Sequence, residues 1–139
     1  MVQVLAGPEL GTGFIVSEHG RVVTASHVIS GQAAIEVVAF VGDTVKRFPA
    51  IIVEQGADKQ MNYDTAILQI DAKGVKFSFL KMGSWNDAEV GDTLFVIPIF
   101  AGPILLTGSM AGKAAVSIPE FGPLPGNTLI FQIPVRQGF

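Results

Sequence analysis

Short apolar runs recur along the whole chain and are separated by Gly, Pro, Asn and Asp. The runs are rich in Val, Ile and Phe, which is typical of short β-strands joined by turns. None of them keeps a helical period long enough to compete with this interpretation. The pattern therefore predicts an all-β fold, with strands over residues 13–16, 22–29, 34–40, 50–54, 65–70, 93–99, 104–110 and 129–133.

Three polar segments separate these predicted strands. Glu18-His19-Gly20 reads as a tight hairpin turn, because its glycine can adopt a positive φ, and His19 is then expected to be a solvated turn residue. Residues 84–92 are polar and rich in turn formers, which favours a linker. Residues 119–127 contain several Pro and Gly and predict a surface loop, either a binding element or a plain connector.

The composition excludes several classes of protein. Hydrophobic residues make up 49% of the 139 and charged residues 15%; the usual charged share is about 25%, so the chain is expected to fold rather than remain disordered. The net charge is −3 and the nine Lys and Arg are scattered, which argues against a nucleic-acid partner. With no cysteine and two histidines, we expect neither a disulfide nor a metal site, and no cofactor.

The hydropathy pattern also bears on localisation. No window reaches the ~18 uninterrupted apolar residues of a membrane-spanning helix, and the N-terminus lacks the basic region of a secretion signal. We therefore expect a soluble protein without a membrane partner. The sequence leaves open whether it is cytoplasmic or the processed form of a secreted protein.

The chemistry of the chain rests on one histidine and one aspartate. Hydrolysis by a nucleophilic serine needs a histidine to accept the hydroxyl proton and a carboxylate to orient that histidine. His27 stands in the run T-A-S-H-V, and Asp64 stands in the run Y-D-T-A-I-L. Taken separately, each is more often a structural residue, because such positions usually lie in turns or at the edge of a core.

Together, three runs in the right order resemble the first barrel of trypsin-like serine peptidases. They are G-T-G-F-I-V-S at 11–17, V-V-T-A-S-H-V-I at 22–29 and D-T-A-I-L-Q-I at 64–70. The likeness is greatest to the cysteine-free bacterial Deg or high-temperature-requirement branch. Residues 80–84 and 89–97 resemble, less specifically, the entry into the second barrel, and residues 104–110 resemble the strand after it.

The resemblance implies a fold and two site residues. It implies two antiparallel β-barrels, the first over 1–83 and the second, incomplete, over 93–139, joined by the linker at 84–92. His27 would be the general base, and Asp64 would be the orienting carboxylate.

The resemblance also implies a nucleophile in G-x-S-G-G, and Gly138-Phe139 matches the two residues before that serine. Gly138 would then give its N–H to the oxyanion hole. Pro134 would stand at the base of the primary specificity pocket and favour apolar side chains. The chain is expected to stop one residue before the serine, and its own serines fall in predicted strands or turns. We expect the hydroxyl of Ser26 to face away from His27, because neighbours on a strand point to opposite faces.

The sequence thus predicts the scaffold of a trypsin-like serine endopeptidase that is inactive as an isolated chain. Two alternatives stay open: a non-catalytic trypsin-fold module for binding or assembly, and an unrelated small β-barrel binding module. The expected partner is a polypeptide substrate or a missing C-terminal segment. An incomplete second barrel would also leave an open sheet edge, through which copies of the chain could form a homo-oligomer.

Overall fold

The computed structural model describes residues 1–56, 64–97, 106–113, 117–118, 122–123 and 129–132. These residues form β-strands with one α-helical turn and one 3-10 turn, which confirms the predicted all-β class. The chain divides into two compact units, Met1–Met82 and Gly83–Phe139.

The first unit contains a closed antiparallel barrel of six strands, in the order β1-β2-β3-β6-β5-β4. Closure pairs every strand on both sides, so this barrel exposes no sheet edge. The strands are β1 (Val2–Ala6), β2 (Glu9–Ile15), β3 (Arg21–Thr24), β4 (Ile35–Val41), β5 (Thr44–Gln55) and β6 (Ala66–Ile70).

The barrel core follows from the alternation of side chains along its strands. In β1 and β6 every second residue is buried, because successive side chains point to opposite faces of a strand. Each buried Val, Leu or Ile contributes about 1.5–3 kcal/mol relative to an exposed position. The wholly buried apolar side chains of this unit include Val4, Val22, Ile29, Val37 and Leu68.

Two strands differ from the sequence-based expectation. β1 was not predicted, and it forms because it pairs with β2 on one side and β4 on the other. β5 begins at Thr44 rather than at residue 50, and its first half pairs with β4 while its second half pairs with β6. The first half was not predicted, because Lys46 and Arg47 interrupt it and leave no apolar run.

The single strand predicted over 22–29 was wrong beyond Thr24. The chain leaves β3 there and forms one helical turn, α1 (Ser26–Ile29). Val28 and Ile29 have strand-like side chains, but both are buried in this turn. Packing against the barrel therefore overrides their β propensity.

The second unit is described in part. A 3-10 turn at Trp85–Asp87 lies within the predicted linker. An antiparallel sheet of three strands has the order β11-β8-β7, and β10 pairs with β9 in a separate ladder. The bounds are β7 (Thr93–Val96), β8 (Leu106–Lys113), β9 (Ser117–Ile118), β10 (Gly122–Pro123) and β11 (Leu129–Gln132).

This unit supports the prediction of a partial second barrel. Most of the predicted loop at 119–127 lies outside the described residues. Across the described ranges, no helix has the length and apolar character needed to cross a membrane.

Candidate active site

His27 lies on α1, directly after the barrel strand β3. Its neighbours Val28 and Ile29 are buried and hold the turn against the barrel, while the His27 side chain is 72% exposed. Val28 sits over Gly11 of β2, where an added Cβ would come within 2.6 Å of Val28 Cγ1. The glycine therefore provides the space that lets this turn lie flat on the barrel.

Asp64 precedes β6 and is brought next to His27 by the pairing of β3 with β6, in which Thr24 stands opposite Ala66. The backbone N–H of His27 donates to Oδ1 of Asp64 at 2.7 Å. The ring Nδ1 of His27 forms a second hydrogen bond, with Oδ2 of Asp64. Both carboxylate oxygens thus bind groups of the same histidine, which fixes the direction of the ring.

This contact determines the electrostatics of the pair. The hydrogen bond from the His27 side chain lowers the pKa of Asp64 below its ordinary value of 3.8, and the partial burial of the carboxyl opposes that effect. The backbone N–H of His27 and the attraction between the two groups lower the Asp64 pKa further. Asp64 is therefore ionised at neutral pH, and a carboxylate on Nδ1 favours the tautomer in which Nε2 is free to accept a proton.

A second set of hydrogen bonds connects Ser26 and the two segments that flank residues 57–63, which end at Gly56 and begin at Asp64. The backbone N–H of Ser26 donates to the carbonyl of Asp64 at 3.2 Å, and its hydroxyl donates to the carbonyl of Gly56 at 3.2 Å. The N–H of Gly56 in turn donates to the carbonyl of Thr65 at 2.7 Å. Sequence reasoning missed these contacts, because it treated Ser26 as a strand residue and the partners lie far along the chain.

The hydroxyls of two other serines make hydrogen bonds within local turns. The hydroxyl of Ser17 accepts the N–H of Arg21, and that of Ser84 accepts the N–H of Asn86. Gly138 and Pro134, the two other predicted site residues, lie outside the described residues. Within the described ranges, no cluster of three or more His, Cys, Asp or Glu could hold a metal ion.

The other histidine lies in the predicted turn between β2 and β3. Gly20 there has a φ of 87°, as a tight turn requires. The side chain of His19 is 78% exposed and lies 3.6 Å from a carboxylate oxygen of its neighbour Glu18. It is placed at the opposite end of β3 from His27.

Comparisons with known proteins show which family the chain resembles. The family described as "Trypsin-like peptidase domain" matches residues 11–124. A probable periplasmic serine endoprotease DegP-like of Brucella suis is 33% identical over 105 residues, covering 74% of this chain and 19% of that protein. The human serine protease HTRA4 is 33% identical over 89 residues, covering 64% of this chain and 17% of that protein.

A solved structure shares the fold. The crystal structure of Deg5 superposes with a TM-score of 0.74 at 24% identity, covering 99% of this chain and 69% of that one. The chain spans about a fifth of the length of the curated relatives it matches. These similarities confirm the resemblance first seen in the runs around His27 and Asp64: the chain belongs to the trypsin-like peptidase domain family, on its Deg and HtrA branch.

Proposed function

We propose that the chain is the catalytic scaffold of a serine endopeptidase in which His27 is the general base and Asp64 orients it. The observation that carries the proposal is the pair of hydrogen bonds between Asp64 and His27. One joins the carboxylate to the backbone N–H of His27, and the other joins it to the ring. A carboxylate held in this way stabilises the imidazolium that forms when the ring accepts a proton. The family supplies the reaction class, peptide-bond hydrolysis.

The steps assigned to these two residues are conventional acid–base chemistry. Nε2 of His27 takes the proton of a serine hydroxyl while the serine oxygen bonds to the carbonyl carbon of the substrate. The same nitrogen then gives that proton to the leaving amine as the C–N bond breaks. Water hydrolyses the acyl-enzyme by the same route, with His27 again as the base, and the serine is regenerated.

The nucleophile is proposed to stand immediately after Phe139 in the natural gene product. None of the seven serines of the printed sequence lies in a G-x-S-G element, whereas Gly138-Phe139 fits the start of one. In that arrangement, Gly138 contributes a backbone N–H to the oxyanion hole. The 139 residues by themselves are then expected to be inactive.

The substrate is proposed to be a polypeptide with an apolar side chain before the cleaved bond. This specificity rests on the resemblance to the family, which would put Pro134 at the base of the primary pocket, where a carboxylate would be needed to receive Lys or Arg. Digestion of a peptide library by the natural gene product is expected to give cleavage after apolar residues. Cleavage mainly after Lys or Arg would contradict the assignment of Pro134.

The direct test of the catalytic proposal is labelling of the natural gene product with a fluorophosphonate, which reacts with activated serines. We expect the label on the serine that follows Gly138-Phe139, as mapped by peptide mass spectrometry. Labelling should be lost in His27→Ala and kept in His19→Ala, a matched histidine variant outside the pair. An unlabelled wild-type protein that contains the G-F-S-G-G sequence would refute the proposal and favour a non-catalytic binding or assembly module.

Association of copies through the sheet of the second unit also stays a prediction. It can be measured on the same gene product by sedimentation. A single monomeric species would contradict it.

A further inference from the structure

Two polar side chains are buried in the described part of the chain, and both lie next to the His27 turn. Thr24 is 5% exposed and Ser26 is 7% exposed. The hydroxyl of Thr24 donates to the carbonyl of Thr12 at 2.9 Å, which joins β3 to β2. The hydroxyl of Ser26 has a different kind of partner, because it donates to the carbonyl of Gly56, 30 residues along the chain. A buried hydroxyl that keeps such a partner fixes the two segments it joins.

Ser26 is bonded to the chain on both sides of residues 57–63. Its hydroxyl binds Gly56, which follows the last residue of β5, and its backbone N–H binds the carbonyl of Asp64, which precedes β6. The hydrogen bond from the N–H of Gly56 to the carbonyl of Thr65 joins these two flanking segments directly to each other. In addition to the pairing of β3 with β6, contacts made by Ser26 therefore help to fix the position of the Asp64 backbone relative to α1.

The pair that these contacts hold is itself poorly supported by side-chain packing. The side chains of His27 and Asp64 are 72% and 52% exposed, so water competes for their hydrogen bonds and their rotamers are not confined by a core. Besides their mutual hydrogen bonds, the two side chains therefore depend for their alignment on the backbone on which they stand. Ser26, buried and adjacent to His27, is the residue that ties the backbone at α1 to the backbone at Asp64.

We propose that Ser26 is a positioning residue for the His27–Asp64 pair, acting through the bond of its hydroxyl to Gly56. The inference rests on the proposed function, and it adds a role that neither site residue supplies. Without the hydroxyl, the carbonyl of Gly56 loses this donor, so Gly56 and the Thr65 carbonyl that it binds are held less firmly beside Asp64. The orientation of His27 by the carboxylate then becomes less exact, which slows proton transfer without changing how substrate binds.

The test compares Ser26→Ala with Ser26→Thr in the natural gene product. In Ser26→Ala we expect kcat to fall roughly three- to ten-fold, the effect of losing one modest hydrogen bond, with KM unchanged. In Ser26→Thr the hydroxyl is kept, and most of the lost kcat should return. Expressing kcat per fluorophosphonate-labelled site removes any contribution from unfolded protein.

Ser30→Ala is the matched control. Ser30 is an exposed serine that follows the last residue of α1, so its substitution removes a hydroxyl near the turn without removing the bond to Gly56. We expect this variant to keep the kcat and KM of the wild type.

A second readout does not need activity. Hydrogen exchange of the His27 backbone N–H, which donates to Asp64, can be followed by NMR in the same proteins. We expect this amide to exchange faster in Ser26→Ala, while Ser26→Thr and Ser30→Ala resemble the wild type. If the wild type is not labelled, the proposed function fails, and this exchange experiment alone then decides the positioning role.

Two results would overturn the inference. The first is an unchanged kcat in Ser26→Ala, or a fall in kcat that Ser26→Thr does not restore. The second, in active or inactive protein, is exchange of the His27 amide in Ser26→Ala at the wild-type rate.

Discussion

Two turns of the first unit each place a histidine beside a carboxylate, and they differ in how the carboxylate is held. In the turn after β2, Glu18 and His19 are neighbours in sequence, and their side chains approach to 3.6 Å. In α1, His27 meets Asp64, which comes from another part of the chain. The two pairs have similar exposure. The carboxylates of Glu18 and Asp64 are 47% and 52% exposed, and the two histidine side chains are 78% and 72% exposed.

The difference lies in the bonds made by the carboxylate. Glu18 lies 3.6 Å from both His19 and Lys76, which is beyond a good hydrogen bond, so this contact is a weak surface attraction. Asp64 instead accepts two hydrogen bonds from His27, one of them from the backbone. Exposure alone therefore does not distinguish the proposed general base His27 from the solvated His19; the hydrogen bonds made by the partner carboxylate do.

Replacing the histidine of each turn should give the largest difference in kcat between the two turns. We expect His27→Ala to lower kcat for peptide hydrolysis by about a million-fold, because the serine loses the base that accepts its proton. His19→Ala should leave kcat within roughly two-fold of the wild type, because surface substitutions away from a site have small effects. Steady-state hydrolysis by the natural gene product measures both, and equal losses in the two variants would remove the distinction between the turns.

Replacing the carboxylates gives a smaller contrast in the same direction. Asp64→Asn keeps the size of the side chain but favours the wrong tautomer of His27, and should lower kcat by about 10⁴-fold. Glu18→Gln is the matched control, and we expect no change in kcat. A full-activity Asp64→Asn variant would show that the His27–Asp64 bond has no catalytic role.

Replacing the glycine next to each turn should lower stability in both cases but lower kcat in only one. Gly11→Ala pushes a methyl group into Val28 and should lower the free energy of unfolding by about 1–3 kcal/mol. It should also lower kcat per labelled site, because Val28 adjoins His27. Gly20→Ala forces alanine into a φ of 87° and should cost about 1–2 kcal/mol, with kcat unchanged.

Urea unfolding and hydrolysis rates test this glycine comparison. Gly83→Ala serves as the control, because a Cβ there meets open space and no strained φ. A Gly11→Ala variant that is destabilised but has full kcat would show that the packing of Val28 over Gly11 does not affect the catalytic position of His27.

The smallest expected effect is on stability as the pH falls. The pKa of Asp64 is lowered in the folded chain, so its ionised form stabilises the fold at pH values above 3.8, and this stabilisation disappears as the pH falls through the lowered value. At pH 7, Asp64→Asn should therefore be less stable than the wild type by at most about 1 kcal/mol, since the pair is exposed. Urea unfolding at pH 7 and at strongly acidic pH measures the difference, with Glu18→Gln as the control. A difference that grows in acid would contradict the direction of the Asp64 shift.

Part of the barrel and the two residues of the His27–Asp64 pair could be predicted because their signals are local, whereas β1 and the first half of β5 were missed. Short apolar runs identified β4 and β6, and His27 and Asp64 each stand in a short recognisable run. The turn at α1 could not be predicted, because Val28 and Ile29 favour a strand, and the space over Gly11 that Val28 occupies is seen only in the folded chain. The contact between Ser26 and Gly56 has no signal in the sequence, because the two residues meet only after β5 and β6 have paired.

The most direct test of the central claim, that His27 and Asp64 act as one unit on a serine, is a double-mutant cycle. It requires kcat/KM for peptide hydrolysis by the natural gene product and by His27→Ala, Asp64→Asn and the double variant. If the aspartate acts only through the histidine, the double variant should be no slower than His27→Ala alone. Losses that multiply, so that Asp64→Asn slows the His27→Ala protein as much as it slows the wild type, would contradict the account.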